Sequence, residues 1–153
     1  MSRRFALTLS LAVLGAACGG NPKPGAPGPQ TPGDAVSRFM TAVLAKDVDR
    51  LGTLWGTERG PASEWMDPKQ LHERVTVIQK YLTAPGYRLV EGPLLVPGEP
   101  ALKRYRVELQ RQDCNRVVPI DVIQTRRGDW LVTDVHLESA GTPGSPCSRG
   151  TSP

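Results

Sequence analysis

Residues 101–138 read ALKRYRVELQRQDCNRVVPIDVIQTRRGDWLVTDVHLE, and this stretch decides the fold. Apolar and polar side chains alternate along it with a period of two, which is typical of β-strands that bury one face. Gln112-Asp113 and Arg127-Gly128 interrupt the alternation and are suited to turns. The pattern therefore predicts an antiparallel meander with strands at 101–111, 114–126 and 129–138.

The first hairpin of this meander has a definite predicted register. If Gln112-Asp113 is a two-residue turn, Val107 lies opposite Val118 and Tyr105 lies opposite Ile120. Both apolar faces then coincide. A slip of one residue would turn that face to water, so the register is strongly specified.

The second hairpin is treated in the same way, with Arg127-Gly128 as a two-residue turn. The third strand then adds four residues to the apolar face, namely Leu131, Thr133, Val135 and Leu137. Pro119 has no N–H group to donate to a neighbouring strand. We therefore expect a bulge or a sheet edge at that position.

Three helices and one more strand are predicted before this stretch. Each helix is marked by a capping residue that is followed by apolar side chains at helical spacing. The caps are Thr31, Asp47 and Asp67. The expected buried stripes are Val36, Phe39, Met40, Val43 and Leu44, then Val48, Leu51 and Leu54, then Leu71, Val75, Ile78 and Leu82. A strand is expected at 87–96.

This order of elements predicts an α+β fold with three N-terminal helices packed on a four-stranded antiparallel meander sheet. It resembles the nuclear-transport-factor-2-like, cystatin-related cone fold. The stretches DAVSRFMTAVLAKDVDRLGTLW (34–55) and GDWLVTDVHLE (128–138) more narrowly resemble small bacterial lipoproteins with such a domain. The resemblance implies a cystatin-like cone, a fold whose members include isomerases, dehydratases, assembly domains and proteins of no assigned activity.

The N-terminal residues have the character of an export leader. Arg3 and Arg4 precede an apolar run at 5–14, which suits a signal peptide and is about half the length that spans a bilayer. The residues LGAAC at 14–18 resemble the lipobox of bacterial lipoproteins, which implies lipid attachment at Cys18. Gly15 stands in the aliphatic position of that motif, so ordinary signal-peptide cleavage stays open as an alternative.

These observations divide the chain into four parts. We expect a signal peptide at 1–17, a lipid-attachment cysteine with a Pro/Gly-rich tether at 18–32, the α+β cone-fold domain at 33–139, and a Gly/Pro/Ser-rich tail at 140–153. The protein would then be a membrane-anchored lipoprotein of the cell envelope. Because Gly19 rather than Asp follows the cysteine, the resemblance implies the periplasmic face of the outer membrane if the bacterium has two membranes.

Charge excludes one class of partner. The net charge of the chain is +4, but residues 34–138 contain 15 basic and 15 acidic side chains. A nucleic-acid-binding domain needs a basic surface that neutralises phosphates. The neutral domain therefore predicts no nucleic-acid partner.

Two cysteines remain if lipid occupies Cys18. An even number of cysteines in an oxidising compartment favours a disulfide between Cys114 and Cys147. The last strand returns the chain beside the start of the 114–126 strand, so the tail needs few residues to reach Cys114. Two unpaired thiols are the alternative.

The sequence offers few groups for chemistry. It contains none of the common metalloprotease, redox, nucleotide-binding or hydrolase motifs, so we expect no metal site and no cofactor. The register places Asp121 opposite Asp134, or opposite His136 if the turn shifts, with Arg104 on the other side of Asp121. Asp121, Asp134 and His136 are candidate acid–base groups, and a charge-compensated ladder on the solvent face is the alternative.

Most other polar candidates have a structural explanation. His72 lies off the apolar stripe of the third helix and is expected in solvent. Tyr105 and Thr133 are the main polar groups expected inside the cone. Trp65 is the tryptophan expected to be most exposed.

The sequence therefore predicts an exported, lipid-anchored, non-enzymatic accessory domain. It would bind a small ligand or a partner protein through the open end of the cone. The alternative is a cone-fold lyase or isomerase that uses Asp121, Asp134 and His136. A homodimer formed through the exposed sheet face is a third option.

Overall fold

A computed structural model of the protein describes residues 27–112 and 114–144. Three α-helices are followed by a four-stranded antiparallel sheet, which confirms the α+β class. The helices are α1 (Pro32–Ala45), α2 (Val48–Leu54) and α3 (Pro68–Leu82). The strands are β1 (Gly56–Thr57), β2 (Gly60–Pro61), β3 (Gly86–Val96), β4 (Glu99–Gln110), β5 (Arg116–Gln124) and β6 (Trp130–Val135). The predicted leader, Cys18 and Cys147 lie outside the described residues.

The helices begin at the predicted caps. The Thr31 hydroxyl accepts a hydrogen bond from the backbone N–H of Asp34 at 3.1 Å. Asp47 caps α2 and Asp67 caps α3 in the same way. Each cap satisfies an N–H group that has no partner within the helix.

Most residues of the predicted stripes form the core, although Val48 and Leu71 are only partly buried against it. Leu44 was expected to be buried, but 40% of its surface is exposed. It lies about 100° around α1 from Val43 and is turned away from the sheet, whereas Ala35 and Ala42 are buried in the core. The largest fully buried side chains are Phe39, Met40, Leu51, Leu82, Leu109 and Ile120.

The main sheet has the order β3-β4-β5-β6, so each strand pairs with its neighbour in sequence. The β4–β5 register is as predicted, with Val107 opposite Val118 and Tyr105 opposite Ile120. Pro119 pairs with Arg106 without a register shift, so there is no bulge; on its other side Pro119 lies just past the last β5–β6 pair, which fits the alternative of a sheet edge. Its carbonyl accepts from the His136 N–H at 3.1 Å, just beyond the end of β6. An N–H group at Pro119 would point toward the same place, where β6 has already ended. Its absence therefore removes no hydrogen bond between β5 and β6.

The β5–β6 turn differs from the prediction. The N–H of Thr125 donates to the carbonyl of Asp129 at 2.7 Å, so three residues rather than two form the turn. Gly128 has a φ of 95°, which favours glycine at the last position of such a turn. A register shift between Asp121 and Val122 restores the predicted pairing farther along the strands.

This shift changes which residues of β6 face the core. Val132 lies opposite Val122 and Val135 lies opposite Ile120. Leu131 is buried instead against the β1–β2 hairpin, close to Gly56. The prediction that Leu131 and Thr133 lie on the core face is therefore wrong.

The last strand is also shorter than predicted. It ends at Val135, and Leu137–Ala140 forms a 3-10 helix in which the Ser139 N–H donates to the His136 carbonyl at 3.0 Å. Leu137 still packs against the core, although from this turn rather than from a strand. Among the described residues no helix is both long enough and apolar enough to cross a membrane.

Candidate functional site

The helices pack on one face of the main sheet, and the opposite face carries charged side chains in pairs. Arg88 donates to Glu108 at 3.1 Å, and Arg106 donates to Glu91 at 3.0 Å. Each pair joins neighbouring strands, as the charge-compensated ladder predicts. Exposed pairs of this kind contribute less than about 1 kcal/mol each to stability.

The pair formed by Arg104 and Asp121 is more buried than the other two. Arg104 Nε donates to Asp121 Oδ1 at 2.6 Å, and Arg104 Nη2 donates to Asp121 Oδ2 at 2.7 Å. Only 4% of the Asp121 side chain is exposed, against 29% for Arg104. Two parallel, charge-assisted hydrogen bonds to a carboxylate are a strong and directional arrangement.

His136 completes this cluster from the end of β6. Its Nε2 lies 3.1 Å from Asp121 Oδ2, 3.0 Å from Arg104 Nη2 and 3.8 Å from Asp134 Oδ2. Its Nδ1 lies 3.1 Å from Glu138 Oε1. A protonated ring donates to Asp121 and Glu138, whereas a neutral ring can accept from Arg104 at Nε2 and donate to Glu138 from Nδ1.

The cluster shifts the pKa values of its members. Burial alone would raise the pKa of Asp121, but hydrogen bonds from Arg104 and His136 outweigh it and lower the pKa. Burial likewise opposes the charged form of His136, yet hydrogen bonds to Asp121 and Glu138 raise its pKa. The cluster is therefore most stable with Asp121 ionised and His136 protonated.

This geometry limits the acid–base chemistry of the three candidates. The structure brings Asp121, Asp134 and His136 together, as the sequence suggested. Asp121 is held as the partner of two cations, and its lowered pKa makes it a weak base. His136 has its raised pKa because it is held by carboxylates. The cluster also lies on the sheet face away from the helices.

The same three residues can be tested as metal ligands. Asp121, Asp134 and His136 each offer one ligand atom, and these atoms lie within 4.8 Å of one another. Arg104, however, donates to both oxygens of Asp121. Its positive charge beside those oxygens opposes a cation at the same place. The residues therefore fit an ion-pair network better than a metal centre.

A pocket of about 370 Å³ lies between α3 and the edge of β6. Its apolar walls come from α3, from the end of α2 and from the chain at the end of β6. Three charged side chains stand at its rim. The lining residues are Trp55, Glu73, Arg74, Val77, Ile78, Asp134, Val135 and Leu137.

Two features fix the shape of this pocket. The indole N–H of Trp55 donates to the Thr133 carbonyl at 3.1 Å, which sets the position of the ring. Val77 remains 48% exposed on α3 and forms part of the mouth. Asp134 belongs both to this rim and to the His136 cluster, so the pocket and the cluster are neighbours.

The sequence did not reveal this pocket. Val77 lies outside the buried stripe of α3. An apolar residue at such a position was the one feature of the sequence that could have indicated a pocket. The pocket exists because the Trp55 backbone bridges to Val132 beside the edge of β6, a tertiary contact that periodicity does not predict.

The remaining candidates occupy ordinary positions. Trp65 is 41% exposed, as expected, and its indole N–H donates to the Gly60 carbonyl at 3.2 Å. Tyr105 lies in the core with 7% of its surface exposed. His72 is exposed on α3. The predicted bond from Cys114 to Cys147 stays a prediction.

Comparisons with protein-family models, with curated proteins and with solved structures found no match to this chain.

Proposed function

We propose that this chain is a lipid-anchored, non-enzymatic binding domain of the cell envelope, and that the α3–β6 pocket holds its ligand. The ligand is a small, uncharged, mainly apolar organic molecule. The observation that carries the proposal is the mainly apolar pocket between Trp55, Val77 and Leu137, whose three charged lining residues are exposed to solvent. We also assign the domain to the cystatin-like cone fold, on the order of three helices followed by a four-stranded meander.

Size and charge favour this class of ligand. A volume of about 370 Å³ lies within the range typical of small-molecule sites. The rim carries Glu73 and Asp134 beside Arg74, so charges of both signs are present. The pocket therefore has no predominantly positive or negative potential that would favour an ionic ligand. The apolar walls supply the binding free energy.

Catalysis has less support from the geometry. A cone-fold lyase or isomerase needs an acid–base pair that faces a substrate inside the cone. Among the described residues, the buried polar or charged side chains are Gln79, Asp121 and Thr125, and Asp121 is the one carboxyl or imidazole group among them. The Asp121–His136 pair lies on the other face and is engaged by Arg104.

The anchor is supported by the leader and by the LGAAC motif that ends at Cys18. Two or more acyl chains on this residue would give stable attachment to the membrane. Metabolic labelling with a palmitate analogue tests this part. We expect label on the wild-type protein and none on Cys18→Ser; unlabelled wild-type protein would contradict it.

The pocket is tested with Nile red, an uncharged apolar dye, added to the full-length protein in detergent. We expect Val77→Glu to weaken dye binding about tenfold, because a charge at the mouth must lose water when the pocket fills. Val90→Glu is the matched control, since Val90 is similarly exposed (39%) but lies on β3. Equal dye binding by both variants would overturn the assignment of this pocket.

A further inference from the structure

The tip of the β3–β4 hairpin is unusually apolar for an exposed segment. Residues 92–102 read GPLLVPGEPAL, with Glu99 as their one charged residue. Leu95 is 75% exposed, the largest value among the exposed large hydrophobic side chains of the described residues. Exposed apolar segments of this kind often mark a surface of contact.

This tip also projects beyond its neighbours. The β4–β5 pairing ends with Leu102 opposite Ile123, so the tip has no partner strand in β5. Val96 and Glu99 close the hairpin around a glycine, Gly98, with a φ of 80°. The register shifts between Leu95 and Val96, so residues 100–102 have no partner in β3 and the end of the hairpin is irregular.

The N-terminal segment enters the domain at the same end. In an antiparallel meander the β3–β4 and β5–β6 turns lie at one end of the sheet. The Trp130 N–H donates to the Pro29 carbonyl at 2.8 Å, and the Gln30 side chain donates to Asp129 at 3.0 Å. The chain that leads back to Cys18 therefore starts from the end that carries the tip.

The reach of that chain is short. Eight residues lie between Cys18 and Pro27. A fully extended chain covers at most about 3.5 Å per residue, so this end lies within about 30 Å of the lipid-bearing residue.

The charged residues near the tip indicate whether a contact with a membrane would be electrostatic or apolar. Arg126 pairs with Glu58 at 3.4 Å, and Arg127 pairs with Glu64 at 2.9 Å. These arginines are already neutralised and do not form a cationic surface for anionic lipids. Lys103 lies opposite Leu95 on β4, so the contact surface is mainly apolar with one lysine at its border.

We infer that the β3–β4 tip, with Leu95 at its most exposed point, rests in the interfacial region of the lipid bilayer to which the domain is anchored. This inference depends on the anchor in the proposed function. The tip and the acyl chains would then hold the domain in one orientation. The α3–β6 pocket would lie on a separate part of the surface.

Fluorescence quenching in vesicles tests the inference. Full-length lipidated protein is reconstituted in phosphatidylcholine with or without bromine on the acyl chains. Leu95→Trp should add fluorescence that the brominated lipid quenches about twofold, because an interfacial apolar side chain reaches the acyl boundary. Val90→Trp, on the same strand but away from the tip, is the matched control. The fraction of its fluorescence that brominated lipid quenches should be no larger than that of the wild-type protein, whose own tryptophans set the baseline.

The outcomes separate the two proposals. If palmitate-labelled Leu95→Trp protein is not quenched beyond the wild-type baseline, the membrane contact is overturned and the anchor stands. Equal quenching of the two variants would also overturn a contact made through the tip. If the wild-type protein carries no label and leaves the membrane, the anchor fails and this inference fails with it.

Discussion

Arg104 and Asp121 face each other on neighbouring strands, and two nitrogens of the guanidinium donate to the two oxygens of the carboxylate. The Asp121 side chain is 4% exposed and the Arg104 side chain 29% exposed. In the two arginine–glutamate pairs on the same sheet face, the arginine side chains are at least half exposed. A buried carboxylate that loses its cation keeps the cost of desolvation without the compensating attraction. This pair is therefore the part of the ladder whose loss matters most.

Removal of the cation alone should show this difference. We expect Arg104→Met to lower the free energy of unfolding by about 3 kcal/mol, because Asp121 stays buried and keeps His136 as its one cationic partner. Arg88→Met is the matched control on the same face and should cost less than about 1 kcal/mol, since its side chain is 64% exposed. Urea unfolding of both variants provides the measurement. Equal losses would mean that the Arg104–Asp121 pair is no stronger than a surface pair.

The pH dependence of stability should carry the signature of His136 and Asp121. The pKa of His136 is raised, so its contribution is complete below its ordinary value of 6.5 and is lost as the pH rises through the folded-state value. The pKa of Asp121 is lowered, so its contribution is complete above 3.8 and is lost as the pH falls through the folded-state value. The cluster therefore stabilises the domain most between these two pH values.

A histidine variant isolates the upper limit of this window. We expect His136→Gln to remove the loss of stability on the alkaline side, as followed by thermal unfolding at a series of pH values. His72→Gln should keep the wild-type profile, because His72 is exposed on α3 and makes no side-chain hydrogen bond among the described residues. An unchanged profile in His136→Gln would contradict the role assigned to the ring.

The close approach of Gly92 to Tyr105 should make this glycine hard to replace. Gly92 has a φ of 138°, and an added Cβ would lie 2.5 Å from the Tyr105 ring. We expect Gly92→Ala to destabilise the domain by about 2–3 kcal/mol, from backbone strain and overlap together. Gly98→Ala is the control, with a positive φ but open space around it, and should cost about 1 kcal/mol. Urea unfolding measures the free energy of unfolding of both variants. Equal losses would show that the Tyr105 ring moves aside without a significant energetic penalty.

The cysteine pairing can be decided by mass. We expect the mature protein to gain the mass of two hydrogen atoms on reduction, and Cys114 and Cys147 to resist maleimide until then. Cys147→Ser should lower the free energy of unfolding by about 3 kcal/mol if loop closure is the source of the stabilisation. Two thiols that react before reduction would exclude the bond.

The register of the β4–β5 hairpin was predicted correctly from the sequence, because only that register places all the apolar residues of both strands on the same face of the sheet. The β5–β6 hairpin was harder, since Gly128 can close a turn of two or of three residues. The choice depended on Leu131, which is buried against Gly56 of the β1–β2 hairpin rather than in the main core. That small hairpin carries too few residues to show a strand pattern of its own.

The polar cluster was predictable and the pocket was not. Asp121 lies opposite Asp134 as predicted, because the register shift between Asp121 and Val122 offsets the extra residue of the turn. The pocket depends on where Trp55 is placed after α2 and on how α3 lies against β6. These are packing relationships between elements distant in sequence, and no local pattern encodes them.

The bonds that hold residues 27–30 to the domain have a mechanical consequence. Arg38 donates to the Pro27 carbonyl at 2.7 Å, and Trp130 donates to the Pro29 carbonyl. A pull on the N-terminal chain would load these contacts before it reached Thr31 and the first turn of α1. These hydrogen bonds would therefore break first. Residues 27–30 would detach from the domain, and tension between an anchor and the domain would leave the core folded.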